Sequence, residues 1–207
     1  MLAKISELGV RQLTARGIVA PEAQEIYRFG LESWLLKGLH YLSMALCGLL
    51  LGLLPQTLIF LGAYGSLRVY AGGYHADSRR VCYLFSWLTI LGVLMGFKHC
   101  PGTLMAPMAL GLILISAPLI YFRAPVDNPQ KPLDALECRH YQRRARQALG
   151  VILATALLCL ALKASGLGLI FAEALAVTAL MMAAGILKNN RGNKKRTSLS
   201  NQDVRTL

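Results

Sequence analysis

The sequence predicts an all-α integral membrane protein: six transmembrane helices preceded by an amphipathic helix lying in the membrane interface. Three observations lead there. First, 55% of the 207 residues are hydrophobic and only 15% charged, where a soluble domain carries about 25% charged residues. Second, the apolar residues gather into runs close to the ~20 residues that cross a bilayer. Third, the basic residues fall in alternate gaps between those runs. Lys and Arg number four in 1–30, three in 68–80, six in 122–146 and six from 188 onward, while the intervening gaps hold none at 55–56, Lys98 alone and Lys163 alone. The positive-inside rule then sets both ends of the chain, and the 68–80 segment, on the cytoplasmic face. It also explains the net charge of +12 without nucleic acid as a partner; the bilayer is the partner expected.

Within 1–20, Leu2, Ile5, Leu8 and Leu13 recur at roughly helical spacing, with Lys4, Glu7 and Arg11 elsewhere, the pattern of an interfacial helix. Met1 to Phe29 contains no continuous apolar core of the kind a cleavable signal needs. Pro21 suits the first turn of a helix, with Glu22 and Glu25 well placed behind it. That helix runs into the first span, about 31–54. Pro55-Gln56 reads as a tight turn, and the second span, about 57–70, is short and ends at Gly72-Gly73. The third span covers Ser78 to about 97, a turn follows at 98–102, and the fourth covers 103–121. The polar segment 122–146 holds Pro125, Pro129, Pro132 and the basic run Arg139 to Arg146. The fifth span is 147–163, Gly166 and Gly168 mark a turn, and the sixth span is 169–187. The expected organisation is one membrane domain over 1–187, with an interfacial part at 1–28 and a bundle at 29–187. The basic segment 188–207 is expected to be disordered.

Chemistry concentrates in one place, R-V-Y-A-G-G-Y-H-A-D-S-R-R-V-C from Arg68 to Cys82. Five cysteines, at 47, 82, 100, 138 and 159, form no C-x-x-C pair, which argues against a disulfide framework and a structural zinc site. A cysteine early in a helix is different. With Asp77 or Ser78 as N-cap, Cys82 falls about one turn inside the third span, where the helix dipole, Arg79 and Arg80 favour a thiolate. His75 is the imidazole nearest in sequence, the usual base for such a thiol. On one straight helix the two would be about 10.5 Å apart along the axis, too far for a hydrogen bond. A dyad therefore needs His75 on a loop that folds back, and Gly72-Gly73 supplies the backbone freedom for it.

Glu32, near the cytoplasmic end of the first span, is a suspect for a third catalytic group. Cys138 and His140 form a second Cys/His pair on a strongly basic stretch. Arg139, Arg143, Arg144 and Arg146 could hold an acidic ligand. Small residues at Gly48/Gly52 and Gly62/Ser66 would let helices associate, as in a homodimer. A non-enzymatic peptide exporter or channel is the rival to an enzyme. A lipid-modifying enzyme is disfavoured by the lack of a clustered acidic motif for a metal and a phosphate.

The run R-x-Y-A-G-G-Y-H-A-x-S-x-R-x-C resembles the accessory gene regulator B (AgrB) family, membrane peptidases that mature autoinducing peptides in Gram-positive bacteria. Length, amphipathic start, six spans and the loop A-P-V-D-N-P-Q-K-P-L extend the resemblance over nearly the whole chain. It implies a thiol protease acting in quorum sensing at the cell membrane, with Cys82 as nucleophile and His75 as base. Arg68, Gly72 and Gly73 would support the site. The implied substrate is a pro-peptide with an amphipathic leader and an acidic tail. The tail would be cut through an acyl-enzyme, and in members that cyclise a thiolactone or lactone ring would form. No cofactor or metal is expected.

Overall fold

A computed structural model describes residues 2–74, 78–127 and 133–203. The described backbone is helical, with a single isolated bridge between Gly72 and Val126. The chain divides into two compact units, Met1–Gly52 and Leu53–Leu207.

In the first unit, α1 (Leu2–Ala15) packs on α2 (Gln24–Leu50). Val10 is buried, and a Cβ on Gly9 would meet the Leu31 side chain at 3.2 Å. Pro21 opens a one-turn 3₁₀ helix, Pro21–Ala23, that feeds directly into α2. The continuous entry expected from Pro21 is therefore present. The expected turn at Pro55-Gln56 is not. Pro55 sits in the first turn of the next helix, where its missing N–H costs nothing, and the turn falls at 51–53.

The second unit holds α3 (Leu54–Ala71), α4 (Arg79–His99), α5 (Gly102–Arg123), α6 (Ala135–Ala161) and α7 (Ser165–Asp203). Helix α7 is its axis. It packs most extensively on α5, then on α3 and α6, and only lightly on α4. The neighbours each offer it one face at alternating steps of three and four: Ala109, Ile113, Ser116 and Ile120 on α5; Ala145, Leu149, Ile152 and Ala156 on α6. Such a period keeps a single stripe turned inward. In α7 itself Leu169, Ile170, Ala172, Ala174, Leu175, Thr178, Ala179 and Met182 are buried. Small residues recur in these stripes, as suits helices in lipid, where association depends on close packing rather than on expelling water.

Among the described residues, four helices are long and apolar enough to cross a membrane: Val81–His99, Gly102–Arg123, Ala135–Ala161 and Ser165–Asn190. The chain is an all-α membrane protein. Helices α2 and α3 stand where the first two spans were expected. However, α2 carries Glu25, Arg28, Glu32 and Lys37 along its length, and α3 has only 18 residues and includes Arg68.

Two helices depart from their expected limits. Helix α6 begins at Ala135, inside the polar segment 122–146 and ahead of the basic run. Asp134 accepts a bond from the Glu137 N–H at 2.7 Å, and the Glu137 side chain accepts from the Asp134 N–H at 3.3 Å. This reciprocal capping box starts a helix irrespective of hydropathy. Gly166 and Gly168 lie inside α7, and the turn before it is made at Lys163, φ 61°; glycines are common within membrane helices. At its other end α7 outlasts the apolar run and continues to Asp203.

Candidate active site

The site is built at the end of the bundle where α3 stops and α4 starts. Helix α3 ends because Gly72 (φ 69°) and Gly73 (φ 122°) adopt left-handed backbone, which costs glycine little. The two residues lead the chain across the middle of α7. The Tyr74 N–H donates to the Met181 carbonyl of α7 at 2.8 Å, and the Val126 N–H donates to the Ala71 carbonyl at 2.9 Å. A three-way junction results, of the α3 end, the segment after α5 and the middle of α7.

Arg68 locks this junction. Its guanidinium donates to the carbonyls of both Gly72 and Tyr74. Its bonds serve to hold the site together, the supporting role that the resemblance implies. The planar fork can hold two acceptors at once, which an ammonium does less well. Arg68→Ala is expected to leave both carbonyls short of a donor, at about 1–3 kcal/mol for each buried one, and Arg68→Lys to restore only part. Limited trypsin digestion of membrane vesicles, scored by cutting at Arg79 and Arg80, would then be faster in Arg68→Ala than in Arg68→Lys, and slowest in wild type. Equal rates in all three would remove Arg68 from this role.

Gly185 of α7 makes the close docking possible and is not evident from the sequence. A Cβ there would stand 2.7 Å from the Gly73 carbonyl carbon and 2.8 Å from the Tyr74 nitrogen. A Cβ on Gly73 would in turn strike the Arg68 guanidinium and stand 2.8 Å from the Met181 oxygen. Gly72, Gly73 and Gly185 are thus required by backbone meeting backbone.

Beyond the junction, the Tyr74 ring lies 5.2 Å from Lys188 Nζ and 5.9 Å, centroid to centroid, from the Phe85 ring of α4. Phe85 is three residues after Cys82, on the neighbouring turn. Residues 75–77, and His75 with them, lie outside the described residues. Ser78 is described: it is extended (φ −123°, ψ 136°) and occupies the N-cap of α4 without a side-chain capping bond. One unbroken helix through 75–82 is therefore excluded, as a dyad requires.

Cys82 is exposed, at the second residue of a run fit to cross the membrane. Its N–H makes the helix's opening bond to Ser78, at 3.0 Å, and the Ser86 hydroxyl donates to its carbonyl at 3.0 Å. The N–H groups ahead of it receive no bond from the Ser78 side chain; such first-turn donors favour an anion at this end of a helix. Other candidates fall elsewhere. Cys138 lies exposed on the first turn of α6. Glu32 lies on α2, in the other unit. Arg139, Arg143 and Arg144 are exposed on α6, whereas Arg146 stacks over the Tyr121 ring at 4.4 Å. Among the described residues no group of three His, Cys, Asp or Glu comes together to hold a metal.

Comparison with known proteins agrees with this picture. The sequence profile of the accessory gene regulator B (AgrB) family matches residues 6–187. Two AgrB-like proteins of Clostridium perfringens, from strain 13 / type A and strain SM101 / type A, are 28% and 27% identical over 141 residues. Those matches cover 64% of this chain and 64% of each relative's length. No solved structure matches.

Proposed function

Because the chain belongs to the accessory gene regulator B family, whose role lies in processing quorum-sensing peptides, we propose that it is a membrane cysteine endopeptidase acting on a pro-peptide. The observation that carries the reading is the Tyr74–Phe85 contact. It ties the residue next to His75 against the helix turn next to Cys82.

In this reading the Cys82 thiolate attacks the carbonyl carbon of the peptide bond before the acidic tail. The C–N bond breaks, the leaving amine takes a proton from the His75 imidazolium, and the leader half stays on Cys82 as a thioester. An internal thiol or hydroxyl of the peptide then attacks that thioester carbonyl and frees Cys82. The product is a cyclic thiolactone or lactone. Position at the start of an apolar helix supports ring closure over hydrolysis, since lipid on one side limits the water that competes for the thioester. Exposed Arg139, Arg143 and Arg144 supply positive charge for an acidic tail.

The test is capture of the intermediate. Purified protein in vesicles, mixed with a synthetic pro-peptide whose internal Cys or Ser is replaced by Ala, is expected to gain the mass of the leader half on Cys82. Hydroxylamine should release it. Tail release without any adduct on Cys82 would overturn the proposal.

A further inference from the structure

Glu173 stands apart from everything above. It is the sole charged residue between Lys163 and Lys188, in the most apolar reach of α7. It is 6% exposed, in a stretch of α7 where Ile170, Ala172, Ala174 and Leu175 are buried as well. Its Oε2 has no hydrogen-bond partner among the described residues. Its Oε1 is turned to α4, where a Cβ on Gly96 would stand 3.6 Å away. The charged groups on the elements around it lie toward helix ends, Lys98 and His99 on α4, Lys163 in the turn before α7, and Arg68, Arg123, Arg146 and Lys188 toward the opposite end of the bundle; the titratable side chains there also include Tyr64 of α3, Tyr83 of α4 and Cys159 of α6. No ion pair among the described residues joins any of them to it.

An ionised carboxylate without a partner in an apolar interior is costly enough that such groups are held neutral. Ionisable groups inside membrane helices are accordingly functional far more often than ornamental. The surroundings also offer a way in. Helix α4 rests lightly on α7, and glycine at 96 leaves open the space in front of Oε1.

We propose that Glu173 is a proton-binding site within the membrane, loaded and unloaded through the seam between α4 and α7. Loss of the proton leaves a carboxylate that must be hydrated, and water reaches it by parting α4 from α7. Helix α4 carries Cys82 at its other end, so the charge on Glu173 sets how firmly that helix is seated. The site itself does not depend on the peptidase reading.

The full chain in phosphatidylcholine vesicles tests it. A lipid-soluble carbodiimide reacts with protonated carboxyls from the membrane side, and mass spectrometry locates the adduct. Wild type is expected to acquire a stable adduct on Glu173 at low pH, and its yield to fall about tenfold per pH unit once the carboxyl ionises. Glu173→Gln should acquire none at that position. Absence of an adduct on wild-type Glu173 at every pH, or a yield independent of pH, would overturn the proposal. So would protection by sodium at constant pH, which marks a metal-cation site, or equal labelling by a water-soluble carbodiimide, which marks a solvated carboxylate. The decisive measurements are made on the wild-type protein.

Discussion

Cys82→Ala is expected to reduce pro-peptide cleavage to background while leaving the protein in the membrane at wild-type level. Both halves follow from the position of the residue. The side chain is exposed and lies outside the packed stripes of the bundle, and substitutions at such positions change stability by about 0.5 kcal/mol or less. Yet in the proposed mechanism both steps, acylation and ring closure, run through its sulfur. Removing the nucleophile of a protease costs on the order of 10⁶ in turnover. Cys82→Ser should also be inactive, because a serine hydroxyl needs a far stronger base to become a nucleophile. Co-expression with a pro-peptide, followed by mass spectrometry of the peptide products, measures the effect, with His75→Ala run alongside. Undiminished cleavage in Cys82→Ala would sink the peptidase reading; retention in His75→Ala would remove His75 as the base.

Gly185→Ala carries the second large effect, at a position with no chemistry of its own. The added methyl would meet two backbone atoms, Gly73 C and Tyr74 N, at 2.7 and 2.8 Å. Backbone cannot rotate aside as a side-chain tip can, so the connection must lift off α7. The Tyr74 N–H then loses the Met181 carbonyl, and the segment that leads to His75 moves by about 1 Å, enough to cost roughly 10² in rate when reacting groups are involved. Overpacking of this kind costs about 1–3 kcal/mol, so the variant should still fold. Gly111→Ala and Gly150→Ala, where an added Cβ meets nothing within 4 Å, serve as matched controls and should process peptide normally. A Gly185→Ala protein that processes as fast as they do would refute the docking argument.

Apolar runs located the helices from α2 onward, and amphipathic spacing located α1. Hydropathy misplaced the limits wherever something local overrode composition. The Asp134–Glu137 capping box, legible as D-A-L-E, was hidden by the basic residues after it. Pro55 looked like a turn because proline starts helices as readily as it ends them. In the candidate site, the glycine pair and the late start of α4 at Arg79 were readable, because φ preferences and caps are local. Gly185 and the Gly72–Val126 bridge were not, because each is defined by a strand of backbone more than 50 residues away. Glu173 was not singled out from sequence, although a lone acid in an apolar run is the signal that points to it; its burial and the lack of a partner for Oε2 belong to the fold.

The junction on α7 is made almost entirely of main chain: Tyr74 to Met181, Val126 to Ala71, and the carbonyls of Gly72 and Tyr74 to one guanidinium. Peptide groups are common to all residues. Val126 and Met181 are therefore free to drift in identity while the assembly stays whole, whereas a change in the length of chain on either side of them would shift every bond at once. Divergent relatives could thus conserve spacing here more strictly than letters, and a designer grafting new specificity onto this scaffold should vary side chains and leave the count of residues alone.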